Sequence, residues 1–300
     1  MPLDTQHSSD ESDCESSNCE SSDDEDSDSS GYSEWEDEFP YESNLFDLSH
    51  EYQFVQRIST NDETVVYEAN SKKHKKKVVV KILNEKVSDK KHRLIRILEI
   101  CKKCPYLPNI NAWHNLRKTG CLAVSSDYIN GSLKLDKYCD GDEKKIKKII
   151  YQTALALNFL HDNNIIHRDI KPSNILFDGK KVTLIDFDLS TFYDNKRGHT
   201  LNAGTTGWKA PEVEKREKYD KSIDVFSLGM VMGFLLLEVH EYDITASTPI
   251  ISHQGIRKIS ETRKKSLAYD LVGKMVDEDP SKRPSIKTVL EHKFFTTNSD

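Results

Sequence analysis

Ile165-Ile166-His167-Arg168-Asp169-Ile170-Lys171-Pro172-Ser173-Asn174-Ile175-Leu176, followed six residues later by Val182-Thr183-Leu184-Ile185-Asp186-Phe187-Asp188, carries most of the chemistry legible in this 300-residue chain. Short Ile/Leu/Val runs of strand character enclose a polar segment that Pro172 keeps from continuing as helix. Asp169 and Asn174 are five residues apart in that segment, and Asp186 leaves the end of an Ile/Leu/Val strand. One carboxylate able to take a hydroxyl proton, with a carboxamide and a second carboxylate as hard oxygen ligands, is the donor set that Mg²⁺-assisted phosphoryl transfer requires.

The pattern H-R-D-x-K-x-x-N followed by D-F-x closely resembles the catalytic and metal-binding loops of eukaryotic protein kinases. The resemblance extends roughly from Tyr52 to Phe295. It implies an α+β, two-lobed fold. A small antiparallel β-sheet lobe with one C helix would span about 52–127, and a larger, mostly α-helical lobe about 131–296. The kinase domain is expected over 49–296, after a tail of residues 1–48 and before a short tail of residues 297–300. The implied reaction uses ATP and Mg²⁺ on protein substrates. Asp169 would orient the acceptor hydroxyl and accept its proton, and Lys171 would stabilise charge on the γ-phosphoryl. Asn174 and Asp186 would hold the metal. Lys171 two residues after Asp169, with Thr205 ahead of Ala210-Pro211-Glu212, is similar to the serine/threonine class.

In the small lobe, Val65-Val66-Tyr67-Glu68-Ala69 and Val78-Val79-Val80-Lys81-Ile82 read as the second and third strands, and Lys81 matches the lysine of V-A-I-K. A lysine ending a buried valine run needs an anionic partner. The candidate is Glu99, within a helical pattern resembling the family's C helix. By the same resemblance Ile58 and Val66 flank the nucleotide. Ser59, Asn61 and Thr64 then fall where the nucleotide-binding loop has glycines. Glycine allows positive φ and close approach to phosphate, so this loop is expected to be stiffer and less intimate with the nucleotide. That departure motivates an alternative: a pseudokinase acting as a docking or regulatory module. Lys72 to Lys77 is read as a solvated hairpin turn in preference to an import or polyanion-binding patch.

Leu122 to Leu133 resembles the strand and hinge joining the lobes. Backbone groups near Asp127 and Ile129 would meet the adenine edge, and Ser126 would gate the pocket behind it. Asp188 stands where the family usually has glycine. The activation loop would follow, with Thr200 as the preferred phosphorylation site and Arg168 as the partner of its phosphate. Glu212 is expected to pair, buried, with Arg283, and Asp224 to anchor the backbone of the catalytic loop.

Composition splits the chain in two. Residues 1–50 hold 17 Asp/Glu and no Lys or Arg, which leaves 33 acidic against 43 basic residues in the remainder. The first 45 or so residues offer little apolar surface to offset the entropy of ordering them, so a disordered acidic tail is expected. Several of its serines have an acidic residue three positions on, a spacing that acid-directed kinases favour. No apolar run reaches the roughly 18 residues of a membrane span, and no secretory signal is evident. Six scattered cysteines suggest a reducing compartment. An intracellular chain that binds neither membrane nor nucleic acid directly is expected. Cys101 and Cys104 form a lone C-x-x-C, read as packing.

Overall fold

The computed structural model describes residues 42–61, 63–84, 88–116, 118–130, 135–194, 199–237 and 252–297. The acidic stretch before residue 42, expected as a disordered tail, and residues 298–300 lie outside them. The chain divides into two units, Met1–Pro40 and Tyr41–Asp300, and the second is the one described here.

Its first element, α1 (Glu42–Leu48), corrects the expected boundary at 48. Asn44 is fully buried and Leu48 is 1% exposed. Asn44 Oδ1 accepts a hydrogen bond from Thr119 at 2.5 Å, and its amide donates to Cys121 Sγ at 3.6 Å. The acidic composition of the tail hid this helix, because its apolar contribution is only Leu45, Phe46 and Leu48.

Five antiparallel strands follow: β1 (Tyr52–Thr60), β2 (Thr64–Ser71), β3 (Lys76–Leu83), β4 (Ile110–Asn115) and β5 (Leu122–Asp127), in the spatial order β1-β2-β3-β5-β4. Between β3 and β4 runs α2 (Ser88–Cys101). The lysine run is the exposed turn between β2 and β3, as read from the sequence, and three of its lysines make surface contacts. Lys72 donates to Ser49 O at 2.7 Å, Lys77 pairs with Glu68 at 2.6 Å and Lys76 pairs with Asp127. The register places Ser59, Val66, Lys81, Val124 and Trp113 side by side across all five strands, hence on one face. Leu83, Leu122 and Val124, of that same face by two-residue alternation, join Leu94, Ile97, Leu98 and Cys101 of α2 in the main core. Lys81 therefore belongs to the helix-covered side of the sheet.

The large lobe begins with α3 (Leu135–Cys139) and α4 (Glu143–Asp162). Asp142 caps α4, its carboxylate accepting from the amides of Lys144 and Lys145. The stripe Ile146, Ile149, Ile150, Leu157 and Leu160 is fully buried. Short ribbons β6 (Ile165–Ile166), β7 (Ile175–Phe177), β8 (Val182–Leu184) and β9 (Thr191–Phe192) pair as β6-β9 and β7-β8. Next come α5 (Pro211–Glu214), α6 (Ser222–Leu236), α7 (His253–Thr262), α8 (Leu267–Met275), α9 (Ile286–Leu290) and α10 (Lys293–Thr296). The apolar run starting at Leu228 lies in α6, whose residues from Ile223 to Leu236 are all buried, as suits a central helix rather than a surface one. This is the two-lobed α+β arrangement that the sequence implies.

Candidate active site

Asp224, in the first turn of α6, organises the catalytic loop. Its Oδ2 accepts from the amide of His167 and its Oδ1 from that of Arg168, both at 2.9 Å, and His161 Nε2 lies 2.9 Å from Oδ2. Burial alone would raise the Asp224 carboxyl, but His161 and these donors outweigh it and hold it below its ordinary value. The donors that Asp224 satisfies are backbone amides of a loop that forms no ladder with a neighbouring strand there. No sequence signal marks His161 as a participant, because it reaches the site only through the packing of α4 on α6.

His167 is buried, and its Nε2 lies 3.0 Å from Ile185 O while its Nδ1 accepts from the Asp169 amide at 3.3 Å. That pairing requires the neutral ring with the proton on Nε2. Burial lowers its basicity against the opposing pull of Asp224, Asp186 and Asp169. Arg168 and Asp186 both take left-handed backbone, with φ 72° and 70°. For non-glycine residues such φ values are strained and cluster at functional sites.

The loop gathers Asp169, Lys171, Asn174 and Thr205 into one cluster. Thr205 Oγ1 donates to Asp169 Oδ1 at 2.6 Å, and Lys171 Nζ lies 2.8 Å from both Asp169 Oδ2 and Thr205 Oγ1. Asn174 Nδ2 donates to Asp169 O at 2.8 Å and to Asp169 Oδ2 at 3.0 Å. The amide of Ile185 donates to Asn174 O at 2.9 Å, which holds Asp186 beside this cluster. Asp186 Oδ1 in turn meets Lys81 Nζ at 2.8 Å, so the two lobes close on one place.

Two expectations change here. Glu99 does not reach Lys81. It is about half exposed and pairs with Lys102 at 2.8 Å on the outer face of α2. The cause is helical phase: Leu94, Ile97, Leu98 and Cys101 recur at spacings of three and four and face the core. Glu99 falls off that stripe, a signal already present in the sequence. The second partner of Lys81 is instead Asp188, whose Oδ2 lies 2.6 Å from Nζ. Burial would weaken the Lys81 ammonium, yet the two carboxylates hold its pKa above the ordinary lysine value. Burial and the neighbouring Asp186 push Asp188 up despite Lys81, whereas Lys81 brings Asp186 down against its own burial.

The nucleotide loop is built without left-handed backbone at the three positions where glycine is expected. Ser59, Asn61 and Thr64 are not among the positive-φ residues. Asn61 closes the hairpin in place of glycine. Its Oδ1 accepts from the amides of Glu63 at 3.0 Å and Thr64 at 2.8 Å, and its own amide donates to Thr64 O at 2.9 Å. Thr64 begins β2 and is 6% exposed, while Ile58, at a register shift of β1, is 49% exposed. At the hinge, the Asp127 carboxylate is tied to Lys76 and to the amides of Asn109 and Asn111, both at 3.0 Å. Its own amide donates to Asn109 O at 3.1 Å. Asp127 thus fixes the hinge through its side chain and its own amide. Ser126 shares the face of Lys81 by register.

In the activation segment Ser190 and Thr191 are buried, whereas Thr200 is exposed. Lys196 and Arg197 lie outside the described residues. Arg168 bonds Leu189 O through Nε and Tyr219 Oη through Nη1 at 3.1 Å. Glu212 and Arg283 meet in a buried, two-pronged pair at 2.5 and 2.8 Å. Cys101, Cys104, Cys121 and Cys139 are buried, and burial pushes the Cys101 thiol well above the usual thiol range. Cys101 and Cys104 of the C-x-x-C both lie in the main hydrophobic core.

Comparison with known proteins agrees with this geometry. The family model "Protein kinase domain" matches residues 52–295. A calcium/calmodulin-dependent protein kinase type I of Schizosaccharomyces pombe is 31% identical over 244 residues, 74% of this chain and 71% of that protein. A protein of Acanthamoeba polyphaga mimivirus that carries the name of a serine/threonine-protein kinase is 34% identical over 240 residues, 72% of this chain and 83% of its own length. A Dictyostelium discoideum protein named "Probable myosin light chain kinase" is 29% identical over 243 residues, and the chain spans 50% of it. No helix among the described residues is long and apolar enough to cross a membrane. With Lys81, Asp169, Lys171, Asn174 and Asp186 drawn together beneath a five-stranded lobe, the chain belongs to the protein kinase family, in its serine/threonine class.

Proposed function

We propose that this chain is an active kinase that transfers the γ-phosphoryl of ATP to Ser or Thr hydroxyls. The observation that carries this reading is the contact of Thr205 Oγ1 with Asp169 Oδ1 at 2.6 Å and with Lys171 Nζ at 2.8 Å. A hydroxyl already lies where a carboxylate can take its proton and an ammonium can steady the neighbouring charge. Asp169 acts as the base and orienting group. Lys171, held against Asp169, offers positive charge beside the acceptor. Lys81 offers its ammonium to the α- and β-phosphates from the face of the sheet that it shares with Val66 and Ser59.

The residues present fit a magnesium ion. Asn174 spends its NH₂ on Asp169, which leaves its carbonyl oxygen as the ligand atom, and Asp186 has a second carboxylate oxygen besides the one Lys81 holds. One carboxylate and one carboxamide oxygen suit a cation that fills its other positions with water and phosphate oxygens. When bound, magnesium neutralises charge on the transferring phosphates. Thr200 is the proposed activating phosphosite, by its exposure and its place in the segment.

Substrate preference follows from charge. Lys215, Arg216 and Lys218 are exposed just beyond α5, whereas Lys209 is tied to Asn202 and Lys221 to His161 O and Asn164. The rim is smaller than the sequence suggests and is interleaved with exposed Glu214 and Glu217, so the pull on acidic peptides rests on a small excess of positive charge. The chain's own acidic tail is a candidate autosubstrate or autoinhibitor. A peptide array should show enrichment of Asp and Glu around the acceptor; enrichment of Arg before it would reverse this reading.

The pseudokinase alternative draws on the Asn61-closed loop and the second carboxylate on Lys81. Radiolabel transfer by purified protein decides between them. Wild-type transfer should fall by at least about 100-fold in Asp169→Asn, the scale of a lost general base, while Mg-ATP binding persists. Nucleotide binding without transfer would make the chain a docking module.

A further inference from the structure

The carboxylate that holds Lys81 comes from the large lobe and not from the helix above it. The acidic residues of α2 are Asp89 and Glu99; Asp89 is exposed and Glu99 is engaged with Lys102. The core-facing stripe of α2 presents Leu94, which lines the same cavity as Asp188, Arg168 and Leu189. Asp188 sits on a turn that the catalytic loop fixes at several points. Phe187 is buried, with its ring 4.9 Å from that of His167. The Ser190 amide donates to Phe187 O at 3.0 Å, Ser190 Oγ donates to His167 O at 3.1 Å, and Arg168 Nε bonds Leu189 O. A side chain carried on so pinned a turn has little freedom to leave its partner.

We propose that Asp188 is the positioning residue for Lys81, set by the catalytic loop in place of a carboxylate on α2, so that the phosphate-binding ammonium is aligned whatever the position of that helix. The proposal rests on the kinase reading given above. Lys81 has three N–H donors, and both Asp186 and Asp188 engage it. Asp186 is the metal ligand in that reading, which leaves Asp188 as the protein carboxylate dedicated to Lys81.

The test uses the full chain with Asp188→Asn, Asp188→Gly, Asp188→Glu and the double variant Asp188→Gly/Leu94→Glu. Each is measured for ATP KM and kcat, Mg-ATP binding by calorimetry, magnesium dependence, melting temperature, and acylation of Lys81 by an N-hydroxysuccinimide ester read by mass spectrometry. Asp188→Asn and Asp188→Gly should raise ATP KM and Kd at least about ten-fold and raise Lys81 acylation several-fold, with the melting temperature little changed. Asp188→Glu should retain most of the affinity. The double variant should recover it, since it returns a carboxylate to the same cavity. Tighter ATP binding in Asp188→Asn would overturn the proposal and make Asp188 a repulsive gate. A shift in magnesium requirement alone would overturn it in favour of a metal ligand, and unchanged Lys81 acylation would deny that Asp188 holds the lysine. Wild-type protein that binds no Mg-ATP would overturn the kinase reading instead, and Lys81 acylation still reports the pair in that case.

Discussion

Gly204 has φ +107°, and a Cβ built there would lie 2.5 Å from the carbonyl oxygen of Arg168. A side chain is excluded twice, by backbone conformation and by the catalytic loop beneath it. Gly204→Ala should therefore cost about 1–3 kcal/mol of stability, as strained left-handed positions do, and lower kcat by displacing Arg168 and its neighbour Asp169. Urea denaturation and steady-state kinetics check the two effects. His167 gives a pH dependence whose sign is fixed. Its folded pKa lies below the ordinary 6.5, so the folded protein keeps it neutral while the unfolded chain takes up a proton as pH falls through 6.5. Its contribution is fully present above that value and is lost as pH drops from there towards the folded pKa. Melting temperature should fall between pH 7 and pH 5.5, and fall less in His167→Gln, which keeps a donor for Ile185 O and does not titrate. At this scale the sequence was informative about identity and poor about partners. Asp169, Lys171, Asn174 and Asp186 were legible from the motif that holds them. The Lys81–Asp188 contact was not, because it joins residues more than a hundred positions apart.

Among elements, α5 and the segment before α9 are joined by Glu212 and Arg283. The side chains of this pair are 4% and 0% exposed, and Arg283 also donates to the carbonyls of Asp277 and Glu278. Removing one partner strands the other charge away from water. Arg283→Met and Glu212→Leu should each cost about 3–5 kcal/mol, and the double variant much less than their sum. A double-mutant cycle by chemical denaturation measures this, and strictly additive losses would contradict a coupled buried pair. The central helix α6 shows a related dependence on close approach. A Cβ at Gly229 would lie 2.7 Å from Met275 Cβ and one at Gly233 2.6 Å from Ile256 Cγ2, which is how α7 and α8 come so near. The apolar residues of α4 (Ile146, Ile149, Ile150, Leu157, Leu160) and of α8 (Leu271, Val272, Met275) recur at helical spacing along the chain, and packing follows that stripe. The helix α1 carries no such signal, because seven residues at the end of an acidic run hold too few apolar groups to announce a helix, and burial on the β4–β5 turn supplies what local propensity lacks.

For the whole molecule the asymmetry of charge is the feature that a sequence-wide average conceals. The first 50 residues carry 17 acidic and no basic side chains, and the remainder has an excess of basic ones. If the exposed Lys215, Arg216 and Lys218 attract acidic peptides, KM for such a peptide should rise several-fold as salt is raised through the range where the screening length falls from about 30 Å to about 8 Å. Removing residues 1–41 should lower KM at low salt and leave it unchanged at high salt. Steady-state kinetics on both chains tests this, and a KM insensitive to salt would remove the electrostatic account of substrate choice.

What the sequence determined by itself is what depends on local order: the motif spacing, the alternation of the strands, the apolar stripes of the helices, and so the family. What the tertiary structure decided is which charges meet. Helical phase turned Glu99 outward and Leu94 inward, and the turn after Phe187 carried Asp188 to Lys81. Ion pairs form between groups brought together by the packing of separate elements, and their energy depends on distance and burial, neither of which is a property of the chain read in order.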